Sequence, residues 1–180
     1  MRLSDSHVKK NVFFTVLFVL AFLLSASVLP YAAVPLGENK GDIGFDLLFA
    51  LSIVTGMVYE NRRAAAIIAL VFGALSDFFI TPPVHLSPLL FLLGAYFGAR
   101  ALGVFFSANA ATAAVASIPF FLLRSLAGGV YLSSHATGAG LSEIIRTVLL
   151  PELCCNVAAV FVTYLIVNFL YKIFKRRFCL

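Results

Sequence analysis

The chain has 180 residues, 62% hydrophobic and only 12% charged, with a formal net charge of +5 and a mean hydropathy of +1.03. Water-soluble domains run near 45–50% apolar and about 25% charged, so the composition excludes a soluble domain and describes an integral membrane protein. Nineteen Phe and no Trp supply apolar bulk with no polar group to satisfy.

Residues 1–10 are polar and carry Arg2, Lys9 and Lys10. A first apolar run covers 11–31, long enough for a hydrocarbon core that needs about 20 helical residues. A signal peptide competes for this run, because Ser25-Ala26-Ser27 resembles a small-residue cleavage site. The run continues past that site to Val34, and a retained first span fits the topology below. Residues 32–42 form a loop with Pro35, Gly37, Glu38, Lys40, Gly41 and Asp42. Further runs follow at 44–59, 64–80, 88–106, 108–130 and 144–171, with a charged turn Glu60-Asn61-Arg62-Arg63 between the second and third. The tail carries Lys172, Lys175, Arg176 and Arg177. The runs lack period-two alternation, and in lipid only helices and closed barrels satisfy their backbone. The expected fold is therefore all-α: one domain over 1–180 with six transmembrane helices.

Charge orients the domain. With both termini in the cytoplasm, the inner side holds Arg2, Lys9, Lys10, Arg62, Arg63, Arg100, Lys172, Lys175, Arg176 and Arg177, and the outer side only Lys40. That asymmetry meets the positive-inside rule for six spans with both ends cytoplasmic. The basic tail also suits anionic lipid head groups.

Ionisable residues inside apolar runs are expensive and point to function or to buried pairing. Four are singled out: Asp77, Arg124, Arg146 and Glu152. All fall in the outer half and their formal charges cancel, so Asp77 and Glu152 are expected to pair with Arg124, with Arg146 at the margin. Asn156 lies one turn beyond Glu152 on a face continued by Ala159 and Thr163. Pro119 and Pro151 are expected to kink their helices. In the third and fourth runs, Gly73, Gly94 and Gly98 are candidate packing positions, and Gly94-Ala-Tyr-Phe-Gly98 permits close backbone approach. Between these runs, Pro83 and His85 occupy a short turn; His85 suits a helix cap, or a proton relay with Asp77.

Enzyme signatures are missing: no His-Glu-x-x-His, no Gly-x-Ser-x-Gly and no phosphate-binding loop. Cys154, Cys155 and Cys179 lack metal-site spacing. No cofactor or metal is implied. The basic residues lack interleaved aromatics in a groove, so nucleic acid is not indicated.

A glycine-containing apolar helix ending in Asp77, a short turn with Pro83 and His85, and an apolar helix with Gly94, Tyr96 and Gly98 resembles the MreD family of rod shape-determining membrane proteins. The segment Pro151-Glu-Leu-Cys-Cys-Asn156, followed by an apolar helix and a basic end, is similar to the family's C-terminal part. The resemblance is specific over 69–100 and 150–177. Pro82-Pro83-Val84-His85 departs from the family turn, which usually carries a glycine. The resemblance implies a non-enzymatic scaffold of the bacterial elongation machinery. It would bind MreC and work with MreB, RodA and a class B penicillin-binding protein in lateral peptidoglycan synthesis and rod shape. It also implies a bundle similar to the substrate-binding components of energy-coupling-factor transporters. The competing functions are a vitamin-type small-molecule-binding component of such a transporter and a membrane enzyme or proton-coupled carrier using Asp77, Arg124 and Glu152.

Overall fold

The computed structural model describes residues 2–27, 34–35, 42–43, 46–79, 86–105, 109–135 and 150–178, with side chains placed over 7–27, 46–79, 86–97, 109–126 and 150–177. Six helices lie among them: α1 (Arg2–Ser27), α2 (Leu47–Val58), α3 (Arg62–Phe79), α4 (Ser87–Phe105), α5 (Ala110–His135) and α6 (Leu150–Phe178). Among the described residues, the strands are a short antiparallel ladder of β1 (Val34–Pro35) and β2 (Asp42–Ile43), pairing Val34 with Ile43 and Pro35 with Asp42.

Capping side chains set where several helices begin. Asp46 accepts the Phe49 amide N–H at 3.0 Å and starts α2. Asn61 accepts the Ala64 N–H at 3.2 Å and starts α3. Asn109 and Thr112 exchange bonds at the head of α5: the Thr112 N–H donates to Asn109 Oδ1 at 2.9 Å, and the Asn109 N–H donates to Thr112 Oγ1 at 3.1 Å. Each such bond satisfies an amide that the helix itself leaves open. Two helices outrun their apolar runs. α1 starts inside the polar head and α6 continues through the basic tail, because Lys and Arg are good helix formers whose stems pack while their charges reach water.

α2 is the hub. It touches all five other helices, and Leu48 through Gly56 are all buried. Phe49 stacks on Phe91 of α4, with centroids 5.2 Å apart, and meets Phe121 of α5 edge-on at 4.9 Å. Phe14 of α1 stacks on Tyr59 at 4.6 Å. α4 also packs along α3, and α6 along α5.

The outward faces are apolar. Val12 and Leu23 on α1, Phe78 and Phe79 on α3, and Leu165 and Phe169 on α6 are exposed. α1 over His7–Ser27 and α6 over Leu150–Arg177 are each long and apolar enough to cross a membrane by length and composition. α2 is not. Its 12 residues rise only about 18 Å.

Candidate functional site

Among the described residues, a group of largely sheltered polar side chains surrounds the N-terminus of α2. Asp46 uses one carboxylate oxygen to cap its own helix and the other to pair with the Arg124 guanidinium of α5. The Asp46 backbone N–H donates to Asn156 Oδ1 of α6 at 2.8 Å. Asn156 is 1% exposed, so this sheltered bond ties α6 to the start of α2. The guanidinium carbon of Arg124 lies 5.6 Å from the centre of the Phe49 ring, where the ring's negative face meets the cation. Glu152, one turn before Asn156 on α6, is close enough for its charge and that of Arg124 to act on each other. Three helices thus converge on one cation and two carboxylates.

This arrangement redraws the expected cluster. Arg124 and Glu152 act on each other electrostatically, and Asn156 bonds the Asp46 backbone. The carboxylate paired with Arg124 is Asp46, not Asp77. Asp77 sits at the end of α3, 8% exposed, and its Oδ2 accepts the Ser87 N–H at 3.2 Å. It therefore caps α4, where an anion also meets the positive end of the helix dipole. The reason for the exchange is geometric. Asp46 opens α2, the helix that touches α5 and α6, whereas α3 ends against the start of α4. Arg146, Pro83 and His85 lie outside the described residues. Pro119 lies inside α5.

Two of the singled-out glycines mark close helix approaches. A Cβ on Gly73 would stand 2.8 Å from the Pro88 Cα of α4, and one on Gly94 would stand 3.0 Å from Ile53 and 3.2 Å from Phe49 of α2. Gly98 is helical in α4, beyond the side chains described. Among the described residues, the tightest approach falls on Gly56, where a Cβ would overlap the Ala95 carbonyl oxygen.

A second ionic group closes the opposite end of α2. Glu60 accepts from Lys10 of α1 at 2.9 Å and from Lys175 of α6 at 2.8 Å. The Lys175 and Lys10 hydrogen bonds hold the Glu60 carboxyl down at about 2, and the same bond raises the Lys175 ammonium above its ordinary value. Tyr59 donates its hydroxyl to Asn11 nearby. Phe13 stacks on Phe174 at 4.6 Å between rings, alongside Tyr171.

Asp46, Gly56 and Glu60 are the residues that inspection of the sequence does not single out. Asp46 carries a clear signal: it lies inside the run at 44–59 and directly precedes Leu47-Leu48-Phe49, the pattern of an N-cap. Gly56 and Glu60 carry none, since their roles depend on which helices meet. The site can hold a bundle together and can present charge within it. Among the described residues, no three His, Cys, Asp or Glu side chains gather as metal ligands. No protein-family model, curated protein or solved structure matches the chain.

Proposed function

We propose that the chain is a six-span protein of a bacterial cytoplasmic membrane, with both termini inside, acting as a non-enzymatic scaffold of the MreD type. In this reading it binds MreC and supports lateral peptidoglycan synthesis by the machinery that includes MreB, RodA and a class B penicillin-binding protein. The membrane part is supported by the apolar outward faces of α1, α3 and α6 and by the gathering of basic residues at one end of the bundle. The scaffold part rests on one observation: Gly73, Asp77 and Gly94, which carry part of the family resemblance, sit where α3 and α4 are tied and packed. Asp77 ties the two helices through Ser87, and Gly73 and Gly94 allow them to close on each other and on α2. These are packing and capping duties, which suit a scaffold better than a catalyst. The test is copurification from membranes with a tagged MreC, together with depletion. Association and loss of rod shape are the expected results; a pair that never associates sinks the reading.

A second reading is favoured by the Asp46–Arg124–Glu152 group, which gathers charge where α2, α5 and α6 meet. It makes the protein a vitamin-type binding component of an energy-coupling-factor transporter, built on a bundle similar to such components. That protein would copurify with a bound small molecule and require an ATPase module, and neither is expected of the scaffold.

A further inference from the structure

We propose that the end of the bundle closed by Glu60 is a binding surface for anionic phospholipid head groups, shared by α1, α3 and α6. Glu60, just before α3, holds Lys10 of α1 and Lys175 of α6 at 2.9 and 2.8 Å, so it ties α1 at Lys10 and the end of α6 to the start of α3. Around that contact, Arg62, Arg63, Lys172, Arg176 and Arg177 are exposed. None of these five is paired with a carboxylate among the described residues. Glu60 is already shared by two lysines, so it neutralises none of them. Exposed apolar side chains follow within two turns on each helix: Val12 on α1, Ile67 on α3, and Phe169 and Ile173 on α6. Exposed cations at the end of the bundle, followed along each helix by exposed hydrocarbon, match the boundary between phosphate head groups and acyl chains, where juxtamembrane Lys and Arg are attracted to anionic lipid. The partner is thus phosphate carried on a lipid, bound by charge and by the adjoining apolar surface together. The inference rests on the membrane reading above, and not on the scaffold role.

The test is thermal unfolding of the full-length protein in neutral detergent with added phosphatidylglycerol, phosphatidylcholine or inorganic phosphate. Phosphatidylglycerol should raise the unfolding temperature by roughly 3–6 °C, as ligand binding to the folded state does, and added salt should shrink the shift. Phosphatidylcholine and inorganic phosphate should leave it unchanged. The variant Arg62→Gln/Arg63→Gln/Arg176→Gln/Arg177→Gln keeps Lys10, Glu60 and Lys175. It should unfold at the parent's temperature without lipid and lose about two thirds or more of the phosphatidylglycerol shift. Three outcomes overturn the proposal: an equal shift with phosphatidylcholine, the full shift with inorganic phosphate, or an undiminished shift in the variant. Should the variant fail to fold, native mass spectrometry of the parent decides instead. Preferential retention of phosphatidylglycerol supports the proposal and equal retention of both lipids overturns it. Failure of the membrane reading looks different, as recovery of the chain in the soluble fraction of lysed cells.

Discussion

Among the described residues, Arg124 is the one cation between two carboxylates, and removing it should be the most damaging single change in the bundle. Arg124→Gln leaves Asp46 and Glu152 without their counter-charge, and breaking a buried pair this way costs about 3–5 kcal/mol. The double variant Asp46→Asn/Arg124→Gln removes charge from both sides and should recover part of the loss. Denaturant unfolding of the purified protein in detergent checks both, and a double variant as unstable as the sum of its singles would refute the pairing. At Gly56, the added methyl of alanine meets the Ala95 carbonyl, which is backbone and cannot swing away. Gly56→Ala should cost about 1–3 kcal/mol by overpacking and Gly94→Ala less, because the Ile53 and Phe49 side chains can shift. At this scale the sequence was partly legible. Arg124, Glu152 and Asn156 stand out as polar groups in apolar runs. That Arg124 takes Asp46 as its partner depends on which helices are neighbours, and residue spacing within one helix does not carry that information.

Between elements, ionic and capping contacts join what the loops only connect. Glu60 fastens α1 and α6 to the α2–α3 turn, and its carboxyl is held at about 2 against an ordinary 4.5. A carboxyl depressed in the folded state contributes stability that is complete above its unfolded value and lost as pH falls through its folded value. The clasp should therefore weaken between about pH 4.5 and about pH 2, and Glu60→Gln should flatten that part of the stability–pH curve. Measuring the unfolding midpoint across this window for both proteins checks it. At the other end of α3, Asp77→Ala leaves the Ser87 N–H without its acceptor, a loss of about 1–3 kcal/mol for a buried donor. Asp77→Asn keeps an acceptor oxygen and should cost less. Element positions were more legible than element pairings. The apolar runs locate all six helices, and Asn61 and Asn109 mark starts that a capping rule can find. The extension of α6 to Phe178 escapes an apolarity criterion, because its last turns are helical and basic together.

For the molecule as a whole, the decisive property is which side of each helix is apolar and exposed. The chain contains no Trp, so a single introduced indole reports without background. Phe169 is 64% exposed on α6. In vesicles, fluorescence of Phe169→Trp should be quenched by lipids brominated on their acyl chains and left intact by aqueous iodide. Quenching by iodide alone would place that face in water. Composition made the apolar character of the chain legible at once. It did not reveal that one of the six runs is enclosed by the others, since a buried run and a lipid-facing run are equally apolar.

That enclosed run bears on how the protein is made. At 12 residues, α2 is well short of the roughly 20 that span a bilayer, and it begins at a carboxylate. On emerging from the ribosome it has little tendency to partition into lipid alone. Its N-terminal polar groups are satisfied by Arg124 and Asn156, which are translated long after it. In the membrane reading, the centre of the bundle is thus among its last parts to be secured: α2 must wait, sheltered by α1 and α3, until α5 and α6 arrive. Chains truncated before α5 should accordingly leave Asp46 open to water-soluble reagents that the complete protein excludes.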